Sequence, residues 1–382
     1  MHLIFKNDYI KSIKNFISIP YESFEEKIKN IEINCNSEEV ILIISNSKNL
    51  FKLNLNKGEN LNIYKTGNFL LEIKLLNSLI DNLKSDNILE IFKVEDNYLQ
   101  FLSGNFECNL ISKKINNKNN NLINFNLIEN KKINISYSLF NISYSKLKNF
   151  CKGQDNTFHN NDILKNIHFK KKLDENLIEV WSSDNYRTVF GKFEYEKNIK
   201  FELNIRPLLL NTLLTLFSNY LKEDLDIWIT NNEFICRKDN LFMKVNVDAD
   251  NFPEFSNWFK SKPNIEFILS KTELLEAIDR NLLLIVNKNL KTTIYKLDGD
   301  KLWIEYDDLE KGFCKEFIFV KNLSDNNIEF SINNTLLKPL IKNIDSERIL
   351  FSIFDSFKPI LILPYKNEKD NFKQFILPIR NV

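Results

Sequence analysis

The chain repeats itself three times, and that limits what it can fold into more than any other feature. A short strand running into an amphipathic helix appears as LIFKNDYIKSIKNFI (3–17), INISYSLFNISYSKLKNFC (133–151) and IEFILSKTELLEAIDRNLL (265–283). Aligning Tyr9 with Ser143 and Leu274 spaces the copies 134 and 131 residues apart, and IKNF (13–16) then falls on LKNF (147–150). A second strand–helix pair alternates with the first: FLLEIKLLNSLIDNL (69–83), FELNIRPLLLNTLLTLF (201–217) and IEFSINNTLLKPLIKNI (328–344), spaced 134 and 127 apart. Each of these helices carries apolar residues at i, i+1, i+4, i+5 and i+8, as in Leu75, Leu76, Leu79, Ile80 and Leu83, which makes one apolar stripe. Near-constant periods of this length mark structural repeats.

Between the helices lie short alternating strands such as EVILIISN, FKLNLN, DIWITNN, KLWIEYD and KEFIFV. Each third of the chain thus reads as two strand–helix–strands units. The fold class is α+β, with three similar domains expected at 1–127, 128–262 and 263–382. The joints, KKINNKNNN (113–121) and KSKPN (260–264), are polar. A chain of 382 residues is long enough for two or three cores.

The sequence offers no chemistry. Three histidines (His2, His159, His168) have no metal-ligand spacing, and the seven glycines form no phosphate loop or nucleophile elbow. The acidic pairs Glu25/Glu26 and Asp307/Asp308 lie in polar stretches that read as solvated surface. Five scattered cysteines without a CxxC pair argue against a disulfide framework and a zinc site, and suit a reducing cytosol. No cofactor is expected. The early charges Lys6 and Asp8 do not fit a signal peptide, and no apolar run is long enough for a membrane span, so a cytoplasmic protein with no membrane partner is expected. The abundance of Lys, Asn, Ile and Phe reads as an AT-rich genome.

Charge is informative where composition is not. Lys plus Arg is 52 and Asp plus Glu 51, a net +1 that excludes a wholly basic coat. Yet five of the six repeated helical segments are net positive, which leaves the rest of the chain net negative. Each helix must turn its stripe to a sheet, so its lysines face away from that sheet. A basic, helix-lined face without base-reading residues suits sequence-indifferent contact with phosphates.

These features resemble the bacterial β sliding clamp, the β subunit of DNA polymerase III. WSSDNYRTV (181–189) is similar to the family's ATDGHRLA segment, NFPEF (251–255) to its FPDY-like turn, DILKNIHF (162–169) to its ILTGVLFE, and FILPIRNV (375–382) to its closing MPMRL. Departures are Asn185, Tyr186 and Thr188 within the first motif, Trp258, and Asn381 with Val382 at the end. The resemblance implies a DNA clamp fold in which helices line the inside of a ring and antiparallel sheets form its outside. It implies a non-catalytic homodimer that encircles duplex DNA, is loaded by the clamp loader and tethers the replicative DNA polymerase. A repeat-built scaffold that binds only proteins, and an enzyme with an unrecognised site, stay open beside it.

Three sets of residues follow. Candidate DNA contacts are Lys11, Lys14, Lys146, Lys148, Lys152, Arg206, Arg280, Lys338 and Lys342. By resemblance, Leu283 and Leu284 pack near Cys108 and Leu110 of a partner's edge strand. The apolar tail has two readings, an edge strand or the wall of a binding site. On the second reading Phe375, Leu377, Pro378, Ile379 and Arg380 line a client-peptide pocket with Leu164, Ser183, Asn185, Tyr186, Arg187, Thr188, Pro253 and Trp258.

Overall fold

The computed structural model describes residues 1–83, 88–95, 97–113, 131–153, 163–255, 262–283, 292–308, 312–324, 326–367 and 371–379. The six repeated helices are present: α1 (Asn7–Ile17), α2 (Ile73–Asp81), α3 (Tyr137–Leu147), α4 (Pro207–Leu216), α5 (Lys271–Leu282) and α6 (Asn334–Lys342). A strand runs into each. Where the preceding residue is a serine it caps the helix: Ser136 Oγ accepts the Leu139 amide at 3.3 Å, and Ser270 Oγ that of Glu273 at 3.4 Å. These starts put Lys6, Ser136 and Ser270 at equivalent positions, which corrects the register in which IKNF met LKNF. Residues 148–150 form a 3-10 turn beyond α3, whereas IKNF lies inside α1, so the two fragments match in letters but sit about a helical turn apart.

The apolar stripes are mostly core, with Leu83 and Leu336 half-buried and one residue exposed. Leu209, Leu210, Leu213, Leu214 and Phe217 are all buried, but Leu75 is 49% exposed. Helix α2 begins at buried Ile73, which shifts its inward face to Ile73, Leu76, Leu79 and Ile80.

The chain forms two compact units. The first comprises Met1–Asn141 and Leu208–Ala249. It holds a five-stranded sheet in the order Leu61–Lys65, His2–Phe5, Leu89–Glu95, Tyr98–Ser103, Phe106–Ile111. Its eight-stranded sheet runs Ile133–Ser136, Asp224–Ile229, Glu233–Lys238, Leu241–Asn246, Leu50–Asn56, Glu39–Ser45, Asn30–Cys35, Gly67–Glu72. Helices α1 and α2 pack together within this unit.

The second unit comprises Ile142–Pro207 and Asp250–Val382 and holds one twelve-stranded sheet. Its order is Phe201–Ile205, Ile167–Lys171, Leu177–Ser183, Arg187–Glu194, Phe372–Ile376, Ile360–Pro364, Arg348–Ile353, Ile265–Ser270, Gly312–Asn322, Lys301–Asp308, Thr293–Asp298, Ile328–Ile332. Helices α5 and α6 pack on it. All these pairings are antiparallel.

Sheets therefore run across the repeats. The strand Leu50–Asn56 from the first half of the first repeat pairs with Leu241–Asn246 from the second half of the next. The strand Arg187–Glu194 of the second repeat pairs in the same way with Phe372–Ile376 of the third. A strand near the terminus is thus central to its sheet, hydrogen-bonded on both sides.

Candidate functional site

The tail begins as a strand, but a central one paired on both sides, not the edge strand of the first reading. Residues 372–376 are strand, and Phe375 and Ile376 are buried in it. The strand ends at Ile376, two residues before Pro378, which has no amide to donate. Beyond it Leu377, Pro378 and Ile379 lie half-buried along the second unit. The Leu377 amide donates to Tyr186 O at 2.8 Å, and the Ile379 amide to Ser331 O at 2.7 Å.

The segment facing this tail is a tight turn. Asp184 Oδ1 accepts the amides of Tyr186 (3.1 Å) and Arg187 (3.0 Å), and Ser183 Oγ donates to Arg187 O at 3.0 Å. Asn185 takes a left-handed φ of 77°, which Asn tolerates better than most side chains. Thr188 Oγ1 donates to Ser183 Oγ, and both residues are buried. Tyr186 is left 61% exposed at the rim.

Arg187 is held within the chain, not offered outward. Its Nε donates to Asp184 Oδ2 at 2.8 Å, one terminal nitrogen to Leu336 O at 3.1 Å and the other to Asn149 O at 3.3 Å. Its guanidinium lies 4.9 Å from the Phe150 ring centre. It braces the turn against α6 and the end of α3.

Beneath the turn lies a small apolar core that the sequence reading largely missed. Leu164, Trp181, Phe190 and Phe252 are buried together, with Ile163 and Phe255 packed on them. Trp181 stacks on Phe190 at 3.9 Å, and Phe252 of the FPEF turn stacks on His168 at 4.6 Å with the rings nearly parallel. His168 Nδ1 shares a 2.7 Å hydrogen bond with Asn204 Oδ1, and Asn204 Nδ2 donates to Asp250 O. Burial lowers the His168 pKa to about 4, so the ring is neutral at pH 7. The FPEF motif was the available signal; the histidine alone carried none. Pro253 of the same turn is exposed, while Trp258 and Arg380 lie outside the described residues.

Of the candidate cations, Lys11 and Lys342 are exposed, and Lys148 sits over the Tyr144 ring at 4.5 Å. Lys14 pairs with Asp81 (2.9 Å), Arg280 with Glu316 (2.7 Å), and Lys338 with Asp279. Exposed pairs of this kind are worth about 0–1 kcal/mol, so a phosphate can replace the carboxylate. Lys146 is different: mostly buried, it donates to Asp345 Oδ2 and Asn343 O, both at 2.6 Å, and ties α3 to the end of α6. Lys152 and Arg206 are half-buried. Leu283 is 80% exposed, Cys108 and Leu110 are half-exposed on an edge strand, and Leu284 lies outside the described residues. Among the described residues no group of three metal-ligating side chains occurs, and no helix is long and apolar enough to cross a membrane.

A repeat of sheet-backed helix pairs, joined through shared antiparallel sheets, is the arrangement of the DNA clamp fold. Residues 259–380 match the family model of the DNA polymerase III beta subunit, C-terminal domain. The chain is 22% identical to the beta sliding clamp of Streptococcus pneumoniae R6 over 357 residues, 92% of each chain. It is 25% identical to that of Mycoplasma genitalium over 372 residues, 91% of each. The crystal structure of the DNA polymerase III beta chain of S. pneumoniae TIGR4 superposes with a TM-score of 0.85 at 18% identity, covering 100% of this chain and 99% of that one. The Bacillus subtilis sliding clamp gives 0.83 at 18%, covering 100% of both. The chain is thus similar along its whole length to bacterial β sliding clamps, and its last third matches that family's C-terminal domain model.

Proposed function

We propose that this protein is the processivity factor of a replicative DNA polymerase, acting without catalysis of its own. Two copies close head to tail around duplex DNA, a clamp loader opens and loads them in the cytoplasm, and the groove beside the tail tethers the polymerase. The repeats correspond to domains at 1–127, 128–262 and 263–382.

One observation carries this reading. The first half of each repeat gives its outer strand to the second half of the next, from first to second and from second to third. Among the described residues, the third repeat's strand Gly312–Asn322 has paired neighbours only at residues 320–322 on that side, and the first repeat's Phe106–Ile111 is an edge. An open donor edge and an open acceptor edge on one chain favour a second copy, and a twofold axis lets both joints close. Phe319 (67% exposed) and Ile111 (65%) sit on these edges, where bare apolar strands invite pairing. Leu283 and Leu284, at and just beyond the end of α5, are proposed to pack near Cys108 and Leu110 of the other copy.

The proposed DNA contacts are Lys11, Lys14, Lys148, Lys152, Arg206, Arg280, Lys338 and Lys342. Lys146 serves first as a brace and second as a source of positive potential. Lysine, a flexible point charge, tracks phosphates without fixing a register. The client groove is assigned to Leu164, Ser183, Asn185, Tyr186, Thr188, Pro253, Trp258, Leu377, Pro378, Ile379 and Arg380, with Phe375 and Arg187 shaping it from below.

The test measures solution mass together with retention on DNA. A particle of about twice 45.3 kDa, loaded on nicked circular duplex and released when the circle is cut, is expected. Direct binding to short linear duplex should be weak, indifferent to sequence and steeply reduced by salt. Equal retention on linear and circular DNA, or on neither, would return the protein to the class of peptide-binding scaffolds.

A further inference from the structure

The repeats fix the register of the joint that no single chain can form. Align the three acceptor halves through their paired strands. Ile31, Ile167 and Thr293 pair with Leu71, Ile205 and Ile332, each the last or next-to-last residue before a second-kind helix. Following the ladders outward from those positions brings Phe51, Val189 and Cys314 into equivalence. The donor halves align through Lys6, Ser136 and Ser270, the residues before the first-kind helices. Their ladders bring Cys108, Met243 and Gln374 into equivalence.

Both joints inside the chain obey this alignment. Met243 stands opposite Phe51, and Gln374 opposite Val189. Carried to the open edges, the same rule sets Cys314 of one copy opposite Cys108 of the other. A second observation agrees: the next residues on the outer face, Glu107 and Lys315, then also stand opposite, a favourable cross-strand charge pair.

We infer that Cys108 and Cys314 of neighbouring copies form an oxidisable thiol pair across each closing joint, a reversible covalent lock on the ring. The inference rests on the head-to-tail closure proposed above. Residues directly opposite in an antiparallel ladder have Cα atoms about 4.5 or 5.5 Å apart. A disulfide accepts roughly 4.4–6.8 Å, so either kind of pair fits. Both cysteines are half-exposed, whereas Cys35 and Cys236 are buried. Cys151 is bonded to Ser182 at 3.3 Å, and burial raises its pKa to about 12. In a reducing cytosol the pair rests as two thiols. With an azodicarboxamide oxidant such as diamide, one thiolate adds to the N=N bond and the second attacks the resulting sulfur. The S–S bond forms while two electrons and two protons convert the oxidant to its hydrazine.

The test treats the full-length protein with diamide and compares native mass with non-reducing electrophoresis. Most of the chain should migrate as a covalent dimer that dithiothreitol returns to monomer. Cys108→Ser alone and Cys314→Ser alone should form native dimers with no covalent species. Mixing and re-equilibrating those two variants should restore the cross-link, because each mixed ring has one complete pair. A native dimer that gives no covalent product, or a product that persists in either single variant, overturns the register and the lock while leaving closure intact. A protein that stays monomeric at every concentration overturns closure and the lock together.

Discussion

The two joints within the chain are the same construction, and the second adds to it a braced turn with the tail beside it. In the first, Asn46 Oδ1 accepts the amides of Lys48 (3.0 Å) and Asn49 (2.7 Å), closing a turn that leads into Leu50–Asn56. In the second, Asp184 Oδ1 does the same for Tyr186 and Arg187 ahead of Arg187–Glu194. The backbone device is shared. The differences are Arg187, which braces the second turn against α3 and α6, and the tail, whose Leu377 amide takes the carbonyl of Tyr186. In the first joint the strand at the same place, Leu241–Asn246, runs on into more chain. Both joints therefore share the sheet and the turn, and the second adds residues 377–379 laid beside the turn, where the client groove is proposed.

The largest effects should come from cutting the tail at two places. Removing residues 372–382 takes a central strand, with buried Phe372, Phe375 and Ile376, out of the twelve-stranded sheet and leaves the strands on both sides unpaired. Cooperative unfolding should be lost, and the protein should aggregate. Removing only 377–382 spares the strand. Circular dichroism and the native dimer should be unchanged, while binding of polymerase and clamp-loader peptides, whose Leu or Phe would each bury about 1.5–3 kcal/mol of apolar surface, should vanish. If the shorter truncation also unfolds the protein, residues 377–379 are structural and the groove lies elsewhere.

What could be read from the sequence follows the same division. Stripe spacing depends on local periodicity, so all six helices and most strands were legible. The family motifs around 181–189, 251–255 and 375–379 fall together in the second unit. Two things were not legible. The joining of repeats through shared sheets depends on pairing between strands far apart in sequence, which no local pattern encodes. Arg187 stands among the pocket residues by its motif alone, because its type says nothing about whether Leu336 O and Asn149 O will reach it first. The misplaced IKNF–LKNF match has a similar cause, since letters repeat more readily than helix starts.

Next in size is a pH effect in the sheet of the second joint, which holds the stack of His168 on Phe252. The folded-state pKa of His168 is lowered from 6.5 to about 4 by burial. Above pH 6.5 both states are neutral there and no free energy is at stake. Between about 6.5 and 4 the unfolded chain binds a proton that the folded chain refuses, so stability falls as pH drops. The full loss is of the order of 3 kcal/mol, from 1.36 kcal/mol per unit. Denaturant midpoints measured from pH 7.5 to 4 should show this slope, and His168→Gln should flatten it. An unchanged slope in the variant would assign the acid limb to other groups.

Arg187 tests whether bracing is what turns one joint into a site. Arg187→Ala removes three hydrogen bonds that hold the turn and should let the Leu377 amide exchange faster with solvent. Peptide affinity should fall about tenfold, equal to roughly 1.4 kcal/mol. Arg187→Lys should not restore it, because one ammonium cannot span Asp184, Leu336 and Asn149 together. Weakened binding with unchanged exchange at Leu377 would mean that Arg187 touches the client itself.

The smallest expected change would make the second joint like the first at one residue. Phe51 meets Met243 with both fully buried, whereas Val189 meets Gln374, also fully buried, whose Oε1 and Nε2 have no hydrogen-bond partner. An amide left unpaired in an apolar layer costs about 1–3 kcal/mol relative to one that is satisfied. Methionine at that position keeps the length of the side chain, removes both polar atoms and reproduces the residue found at the equivalent place. Gln374→Met should therefore raise the denaturation midpoint by an amount worth about 1 kcal/mol, with no change in peptide binding, since residue 374 faces away from the rim. A lower midpoint would mean that the amide is satisfied in solution, by water or by a movement of the strand. The second joint would then be hydrated where the first is dry, which is the looser packing expected beside the proposed groove.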